Sequence, residues 1–308
     1  MTHKVFAGIG EILWDVLPTG KQLGGAPSNF AYHAKTLMQD ESLAYVVSRV
    51  GDDDHGREML ARLKFLRVNV DHVGVDPERV TGTATVRFDA EGAAQYDFGE
   101  NVAWDAIPAL CRSFAGTVDA VCFGTLAQRS LQSREAIMRF LRETKPDCLR
   151  IFDVNLRQRY YSRDLTENSL RTANVVKIND EELPKVARML DMPKEGDVAA
   201  LNALVERYDL RLGILTRGAR GSVLTDGRRV SVHAGHKAAL ADAIGAGDSF
   251  TAAVAVGTLL GMDLDAVNDA ANRVAAYVCT QRGATPPLPE GLRRLFTEAA
   301  APAVAAYA

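Results

Sequence analysis

The chain has few cysteines and no long apolar run, which argues against a disulfide-rich secreted protein and against a membrane protein. Its four cysteines among 308 residues, Cys111, Cys122, Cys148 and Cys279, lack the paired spacing of a metal site. We therefore expect reduced thiols and a cytoplasmic location. The first residues carry neither a basic stretch nor a long apolar run, which predicts no signal peptide. The longest apolar segment, residues 250–261, falls short of the roughly 18 residues of a membrane span.

A strong charge of one sign is also lacking. The net charge of −3 provides no general attraction to nucleic acid or to anionic membranes. The hydrophobic content of 47% and the charged content of 24% are ordinary for a globular enzyme. The six histidines form no metal set, because His233 and His236 are near neighbours without an acidic or cysteine partner. We expect both to be surface residues, and we expect small molecules rather than macromolecules as partners.

Short apolar strands alternate with helical segments along most of the chain. Such alternation predicts a three-layer α/β/α (Rossmann-like) core with a mostly parallel sheet. The predicted strands are residues 5–9, 43–50, 120–123, 149–153, 175–178 and 212–216. The predicted helices include residues 55–66, 131–144 and 180–190.

One region departs from this alternation. Residues 83–89 alternate between apolar and polar side chains, turn at residues 90–92, and resume through Tyr96 and Phe98, which predicts a hairpin. Together with a strand at residues 11–17, the hairpin could form a small sheet beside the core. Its apolar face would need a cover, either the active site or a second subunit.

The segment from Asp242 to Asp248 is the most informative motif. Gly245 and Gly247 allow close approach to a ligand, and the apolar residues that follow predict a buried helix whose first turn begins near Gly247. A helix start attracts anions, above all phosphate. Asp248 would lie in that first turn, and a carboxylate beside an anion hole suits transfer of a phosphoryl group to an alcohol. The alternative is a flexible turn that ends in a helix-capping acid.

Polar groups follow other predicted strands and helix starts, each with a structural alternative. Gly24, Gly25 and Asn29 open a helix and either contact a ligand or form a simple turn. Asp153, Asn155 and Arg157 follow a strand, at the sheet edge where open parallel sheets bind ligands; the alternative is an Asx turn beside a surface arginine.

Two further segments carry both kinds of interpretation. Asn179 and Glu182 have the spacing of a capping box, and they also suit a hydrated magnesium ion, which needs few protein ligands. The segment from Thr216 to Gly221 joins two strands through glycines. It either lies against a nucleotide or is a plain hairpin.

These motifs, in this order, resemble the ribokinase-like (PfkB) family of sugar kinases from Gly10 to about Pro289. The segment from Gly24 to Asn29 resembles the family's N-terminal signature, and Asp242 to Asp248 resembles its C-terminal signature. One departure is Ala243, which stands where the family usually has threonine. The resemblance implies that ATP and Mg²⁺ are the cofactors.

The resemblance also implies roles for individual residues. Asp248 would take the proton of the sugar hydroxyl, and the backbone of Gly245, Ala246 and Gly247 would form the anion hole. The implied sugar-binding residues are Asp15, Gly25, Asn29 and Arg157. The implied nucleotide-binding residues are Asn179, Thr216, Gly218, Gly221 and Asn272.

The same resemblance assigns two cation sites. Asn179 and Glu182 would hold Mg²⁺ through water. Asp242 and Ile244 would hold a monovalent cation such as K⁺, although Pro287 stands where other members have a serine ligand.

The small sheet resembles the family's lid, which often forms a dimer interface. The resemblance therefore implies a homodimer through the lid. The expected lid comprises residues 11–23 and 77–103, and the expected nucleotide- and sugar-binding core comprises residues 1–10, 24–76 and 104–308.

The resemblance is greatest to the fructokinase branch, which predicts phosphorylation of fructose. A 2-keto-3-deoxygluconate kinase stays open, because Arg87 and Arg157 could bind a sugar acid. A ribokinase is an alternative, although Ala127 and Gln128 stand where ribokinases tend to carry an acid. A nucleoside kinase and a non-catalytic sugar or nucleotide sensor are further alternatives.

Overall fold

The computed structural model describes residues 3–17, 20–88, 94–109, 112–192 and 196–300, with backbone alone for residues 86–88, 94–96 and 299–300. The turn expected at residues 90–92, Cys111 and the side chain of Arg87 lie outside this description. Of the other cysteines, Cys122, Cys148 and Cys279 are free thiols.

Within the described residues, the larger sheet has nine strands in the order β13-β12-β11-β10-β9-β8-β1-β4-β5. These strands are β1 Lys4–Ile9, β4 Ser42–Gly51, β5 Val73–Asp76, β8 Ala120–Phe123, β9 Leu149–Asp153, β10 Val175–Asn179, β11 Leu212–Thr216, β12 Ser222–Thr225 and β13 Val230–His233. The pairings from β5 to β11 are parallel, and β12 and β13 add two antiparallel strands at one edge. The predicted mostly parallel sheet is therefore confirmed.

Helices cover both faces of this sheet. They are α1 Ala26–Met38, α2 Asp54–Phe65, α3 Arg112–Ala115, α4 Leu131–Glu143, α5 Arg163–Thr172, α6 Leu183–Met189, α7 Asp197–Arg207, α8 Ala246–Leu259, α9 Leu264–Cys279 and α10 Glu290–Ala300. No helix of the described residues combines the length and apolar character that a bilayer crossing requires.

The strand side chains alternate between two hydrophobic cores. In β8, Val121 and Phe123 pack into the core that includes α4 to α7. Ala120 and Cys122 point to the other face, into the core that includes α1, α8 and α9. This alternation follows from the two-residue period of a strand, and it produces the three-layer architecture that the sequence predicts.

The smaller sheet has the strand order β3-β2-β6-β7. Its strands are β2 Leu13–Leu17, β3 Gly20–Gly24, β6 Thr83–Phe88 and β7 Ala94–Phe98. Trp14 is 4% exposed, and its indole N–H donates to the carbonyl oxygen of His55 in α2 at 3.0 Å. Helix α2 of the same chain therefore covers part of one face. Leu13 and Asp15, on the opposite face, line a cavity.

Two sequence predictions need local correction. The helix expected at residues 180–190 begins at Leu183, because the side chain of Asn179 accepts the N–H groups of Glu181 and Glu182 and forms a separate turn. The strand expected at residues 11–17 begins at Leu13, because its pairing with β3 starts at Leu13 and Gly24. The lid and core boundaries stay a prediction; the described strands of the small sheet fall within the lid ranges apart from Gly24.

Candidate active site

A cavity of about 730 Å³ lies between the small sheet and the carboxyl ends of the parallel strands. Such a sheet edge is the usual ligand-binding position in open α/β folds. Fourteen of the sixteen residues assigned roles in the sequence line this cavity; Glu182 and Asp242 are not among its lining residues. The fold therefore gathers motifs that are separated by more than 200 positions, such as Asp15 and Asp248.

Asp248 is the central acidic group of the cavity. It lies in the first turn of α8, as predicted, and its Oδ2 accepts the side-chain amide of Asn29 at 2.8 Å. Burial, and then the nearby Asp153 carboxylate, raise the pKa of Asp248 to about 6, while the Asn29 hydrogen bond opposes that rise. The carboxyl group is therefore ionised at neutral pH and basic enough to accept a proton.

The backbone before Asp248 forms a helix start with restricted side-chain space. Gly245 caps α8 with a φ of 76°, and a Cβ there would lie 2.6 Å from the carbonyl oxygen of Ala284. The first N–H groups of a helix lack intrahelical acceptors, which favours an anion at this position. The N–H of Ala246 donates to Ala243 at 3.3 Å, so an anion would have to share or replace that long bond.

Lys177 is a functional candidate that the sequence analysis missed. Its ammonium group bonds Oδ1 of Asp153 at 3.0 Å, and both side chains are almost fully buried. Burial opposes its charge, but the carboxylates of Asp153, Glu182 and Asp248 outweigh that effect and raise the pKa of Lys177. A Cβ on Gly247 would lie 3.1 Å from its Nζ, which places the cation beside the proposed anion hole. A charged residue within an otherwise apolar strand was the available signal.

The paired glycines at the start of α1 accommodate other parts of the same chain. A Cβ on Gly24 would lie 2.3 Å from Oδ2 of Asp15, and one on Gly25 would lie 2.5 Å from the carbonyl oxygen of Glu11. Gly25 also has a φ of 107°. The glycines thus let two carboxyl-bearing segments approach the start of α1, and Gly25 also lines the cavity.

Burial raises the pKa of Asp15 and Glu11, the two carboxyl groups at the end of the cavity beside the start of α1. It raises the pKa of Asp15 to about 6, with the charge of Arg157 opposing the shift. It raises the pKa of Glu11 to about 7, against a backbone hydrogen bond and with a further rise from Asp248.

Two buried acceptor atoms at this end have no partner among the described residues. They are Oε2 of Glu11 and Oδ1 of Asn29, and both residues line the cavity. Buried polar atoms are normally hydrogen-bonded. Unsatisfied acceptors in a cavity therefore suit a ligand with several hydroxyl donors.

Asn179 and Glu182 make the reciprocal contacts of a capping box. Oε2 of Glu182 accepts the N–H of Asn179 at 3.0 Å, and Oε1 accepts the N–H of Leu156 at 2.9 Å. Each carboxylate oxygen retains a further lone pair. This arrangement fits a cation that is held through its water shell better than one that is bound directly.

Thr216, Gly218 and Gly221 line the opposite end of the cavity, between β11 and β12. Asn272 lines it from α9, with its amide nitrogen donating to Oγ of Ser222 at 2.7 Å. That contact fixes the orientation of the Asn272 side chain.

The carboxylate of Asp242 ties two loops together. Its oxygens accept the N–H groups of Ile244 at 2.9 Å and Gly283 at 3.1 Å. These contacts hold the segment before the helix start in place. The monovalent cation site at Asp242 and Ile244 stays a prediction.

The expectation that His233 and His236 lack an acidic partner is wrong. Both Nε2 atoms lie near Oδ1 of Asp269, at 3.2 and 2.9 Å. Among the described residues, these three bring potential metal-ligating atoms within reach of one ion. The Gly235 N–H donates to Nδ1 of His233, so the His233 proton is on Nε2. That tautomer donates to Asp269 and leaves no lone pair on Nε2 for a metal ion.

The chain matches the model of the pfkB family carbohydrate kinases over residues 13–291. A fructokinase of Klebsiella pneumoniae is 28% identical over 271 residues, which cover 83% of this chain and 85% of that protein. A sugar kinase of Pyrococcus horikoshii, solved in complex with ATP, has a TM-score of 0.79 at 25% identity and covers 91% of this chain and 94% of its own. A Vibrio cholerae fructokinase, solved with fructose, ADP and calcium, shares the fold with a TM-score of 0.77 at 23% identity, covering 96% and 99% of the two chains.

Proposed function

Because the chain belongs to the pfkB family of carbohydrate kinases, we propose that it transfers the γ-phosphate of ATP to a hydroxyl group of fructose. One observation carries this proposal: the Asp248 carboxylate is bound by Asn29 at the first turn of α8, inside a cavity large enough for both substrates. The products are a fructose phosphate, ADP and one proton.

In the proposed reaction, Asp248 removes the proton of the attacking hydroxyl as its oxygen bonds to the γ-phosphorus. The bond from that phosphorus to the bridging oxygen of ADP breaks, and the electron pair leaves with ADP. The helix start at Gly245, Ala246 and Gly247 and the nearby Lys177 stabilise the negative charge of the phosphoryl group. Asn29 orients the carboxylate.

We assign the nucleotide to the end of the cavity lined by Thr216, Gly218, Gly221 and Asn272. Asn179 and Glu182 would hold Mg²⁺ through its water shell, and the ion supplies charge neutralisation of the phosphates. Asp15, Gly25, Asn29 and Arg157 are assigned to the sugar.

The choice of fructose is supported by sequence relatives and by the polarity of the sugar end. Curated relatives over most of the chain include fructokinases of Klebsiella pneumoniae and Escherichia coli. Glu11 and Asn29 line this end, and each has a buried acceptor atom without a partner among the described residues. Asp15 and Asp248 add two more carboxyl groups. A neutral polyhydroxyl substrate suits this set better than a sugar acid, whose carboxylate would repel them.

Three further assignments complete the proposal. Asp242 and Ile244 would bind a monovalent cation such as K⁺. Two copies of the chain would associate through the lid, where Val16 of β2 is partly exposed. We also expect the enzyme to act in the cytoplasm.

An ADP-release assay with Mg²⁺-ATP and fructose, ribose, 2-keto-3-deoxygluconate or adenosine tests the proposal. We expect the highest kcat/KM with fructose. A higher value with another substrate overturns the assignment to fructose. Sugar binding without ADP release would instead identify a non-catalytic sensor.

A further inference from the structure

Glu11 is a buried carboxyl group that lines the cavity without a complete set of hydrogen bonds. The residue is 3% exposed, and its Oε2 has no hydrogen-bond partner among the described residues. Leaving a buried acceptor unsatisfied is costly. A hydroxyl group of a bound molecule would supply the missing donor.

The backbone that carries Glu11 is held on both sides. The N–H of Gly10 donates to Val47 at 3.1 Å, and its carbonyl oxygen accepts the hydroxyl of Ser48 at 2.6 Å. The carbonyl oxygen of Glu11 lies against Gly25, where a Cβ would approach to 2.5 Å. The carboxyl group therefore projects from a fixed position between β1 and β2, and binding a ligand does not require this segment to be ordered first.

The charges around Glu11 favour a neutral ligand. Asp248 and Asp153 raise the pKa of Glu11, and Arg157 lowers it. An ionised Glu11 accepts a hydrogen bond from a hydroxyl group, and a protonated Glu11 can also donate one, so a sugar hydroxyl satisfies either form. The sugar end of the cavity is lined by three acids, Glu11, Asp15 and Asp248. Arg157 and Lys177 also line the cavity, but Lys177 is already paired with Asp153. A ligand carboxylate would therefore add negative charge to a poorly solvated site in which acids outnumber the remaining cation.

We propose that Glu11 binds a hydroxyl group of the sugar and selects neutral sugars over sugar acids. This inference rests on the proposed function of the same cavity. It adds a specificity residue to the sugar-binding set of Asp15, Gly25, Asn29 and Arg157. Its position just before β2 places it at the junction between the core and the small sheet.

The first test compares Glu11→Ala and Glu11→Gln with Glu143→Gln as a matched control. Glu143 lies at the end of α4 and pairs with Arg139 outside the cavity. With fructose, we expect Glu11→Ala to raise KM by about 10- to 100-fold and to change kcat less, since a hydrogen bond to the sugar is lost. Glu11→Gln keeps the hydrogen bond and should raise KM by less than about fivefold.

Selection of neutral sugars over sugar acids is tested separately, by comparing kcat/KM for the two kinds of substrate. Above the pKa of about 7 of Glu11, at about pH 8, we expect Glu11→Gln to raise the ratio of kcat/KM for 2-keto-3-deoxygluconate to that for fructose by about tenfold, which corresponds to loss of one repulsive charge. An unchanged ratio overturns the charge-selection part. ATP affinity should match the wild type in Glu11→Gln, and its melting temperature should be equal to or above that of the wild type, because burial raises the pKa of Glu11. This variant carries the test if Glu11→Ala does not fold.

A set of monodeoxy analogues of the sugar substrate tests whether Glu11 contacts one of its hydroxyl groups. If Glu11 binds one hydroxyl, the analogue lacking that hydroxyl should have the same KM in the wild type and in Glu11→Ala, within about twofold, while the other analogues retain the loss. An equal loss with every analogue would mean a structural effect and would overturn the contact.

The two proposals fail in different ways. An active wild type whose Glu11→Ala variant keeps its KM overturns the role of Glu11 and leaves the kinase assignment intact. A wild type that releases no ADP with any sugar and binds none in calorimetric titration overturns both. If another neutral sugar is the best substrate, the same experiments apply with that sugar.

Discussion

The side-chain amide of Asn29 donates to the carboxylate of Asp248 at 2.8 Å, although the two residues are 219 positions apart in the sequence. Asn29 is in the first half of α1, and Asp248 is in the first turn of α8. The two helices pack together on one face of the sheet. Their contact joins the two glycine-led helix starts into one site.

Replacing Asp248 with asparagine should abolish most of the activity without preventing folding. The amide cannot accept the hydroxyl proton, and we expect kcat to fall by about 10²- to 10⁴-fold. Steady-state ADP release measures the effect, and calorimetric titration with Mg²⁺-ATP should show retained binding. Turnover within about threefold of the wild type would remove Asp248 from the role of base.

The pH dependence should report the ionisation of the carboxyl groups in the cavity. Because the pKa of Asp248 is raised to about 6, kcat/KM should be on a plateau near pH 8 and should fall as the pH drops through 6. The neighbouring acids share this titration, so the profile gives values for the group as a whole. A profile that stays flat down to pH 5 would contradict this prediction.

Removing the Asn29 amide should move that profile toward higher pH. The hydrogen bond from Asn29 stabilises the ionised form of Asp248. Asn29→Ala should therefore raise the apparent pKa on the acid side of the kcat/KM profile by about 0.5 to 1 pH unit. The substitution also removes a proposed sugar contact, which should raise KM. The shift in this apparent pKa separates the effect on Asp248 from the loss of sugar binding. An unchanged apparent pKa would refute the electrostatic effect of Asn29 on Asp248.

Asp248 should reduce the stability of the unliganded protein above pH 6. Its folded-state pKa exceeds its unfolded value of 3.8, so the folded state binds more protons and the free energy of unfolding decreases as the pH rises from about 4 to 7. Asp248→Asn removes this effect and should stabilise the protein by about 1 to 2 kcal/mol at pH 8, allowing for partial solvation by the cavity.

Thermal unfolding at pH 5 and pH 8 measures this difference. Asp71→Asn, at an exposed position, is the matched control and should show no such change. A wild type that exceeds Asp248→Asn in stability at pH 8 would mean that favourable contacts of the carboxylate outweigh its burial.

Lys177 should matter for both stability and catalysis. Lys177→Met leaves Asp153 buried without its cation and should cost about 3 to 5 kcal/mol of unfolding free energy. It also removes a positive charge beside Gly247 and should lower kcat by about 10²-fold or more. Adding Asp153→Asn should restore part of the stability without restoring kcat, as measured by denaturant unfolding and ADP release. Recovery of both would assign Lys177 a purely structural role.

The fold was predictable wherever local periodicity is strong. The strands at residues 120–123, 149–153 and 212–216 agree with β8, β9 and β11, because short apolar runs between turn residues have few alternatives. The start of α8 was predictable from its glycines. Helix α7 was missed, although Ala200, Leu201, Leu204 and Val205 have helical spacing and are buried.

The site was less predictable than the fold where partners are distant in sequence. Lys177 was missed because its counterion, Asp153, belongs to the neighbouring strand β9, 24 positions earlier. The pairing of His233 and His236 with Asp269 was missed for the same reason, since Asp269 is more than 30 residues away on α9. Only the packing of α9 against β13 brings these groups together.

The sequence by itself determined the layered α/β architecture, the two glycine-led helix starts and the residue types available for phosphoryl transfer, because these depend on local periodicity and backbone freedom. Only the tertiary structure decided which carboxyl groups are buried together, which amide binds Asp248 and which acceptors are left for a ligand. Acidity and hydrogen bonding depend on solvent exclusion and on distances of a few ångströms between distant segments, and these arise only when the helices and the two sheets have packed.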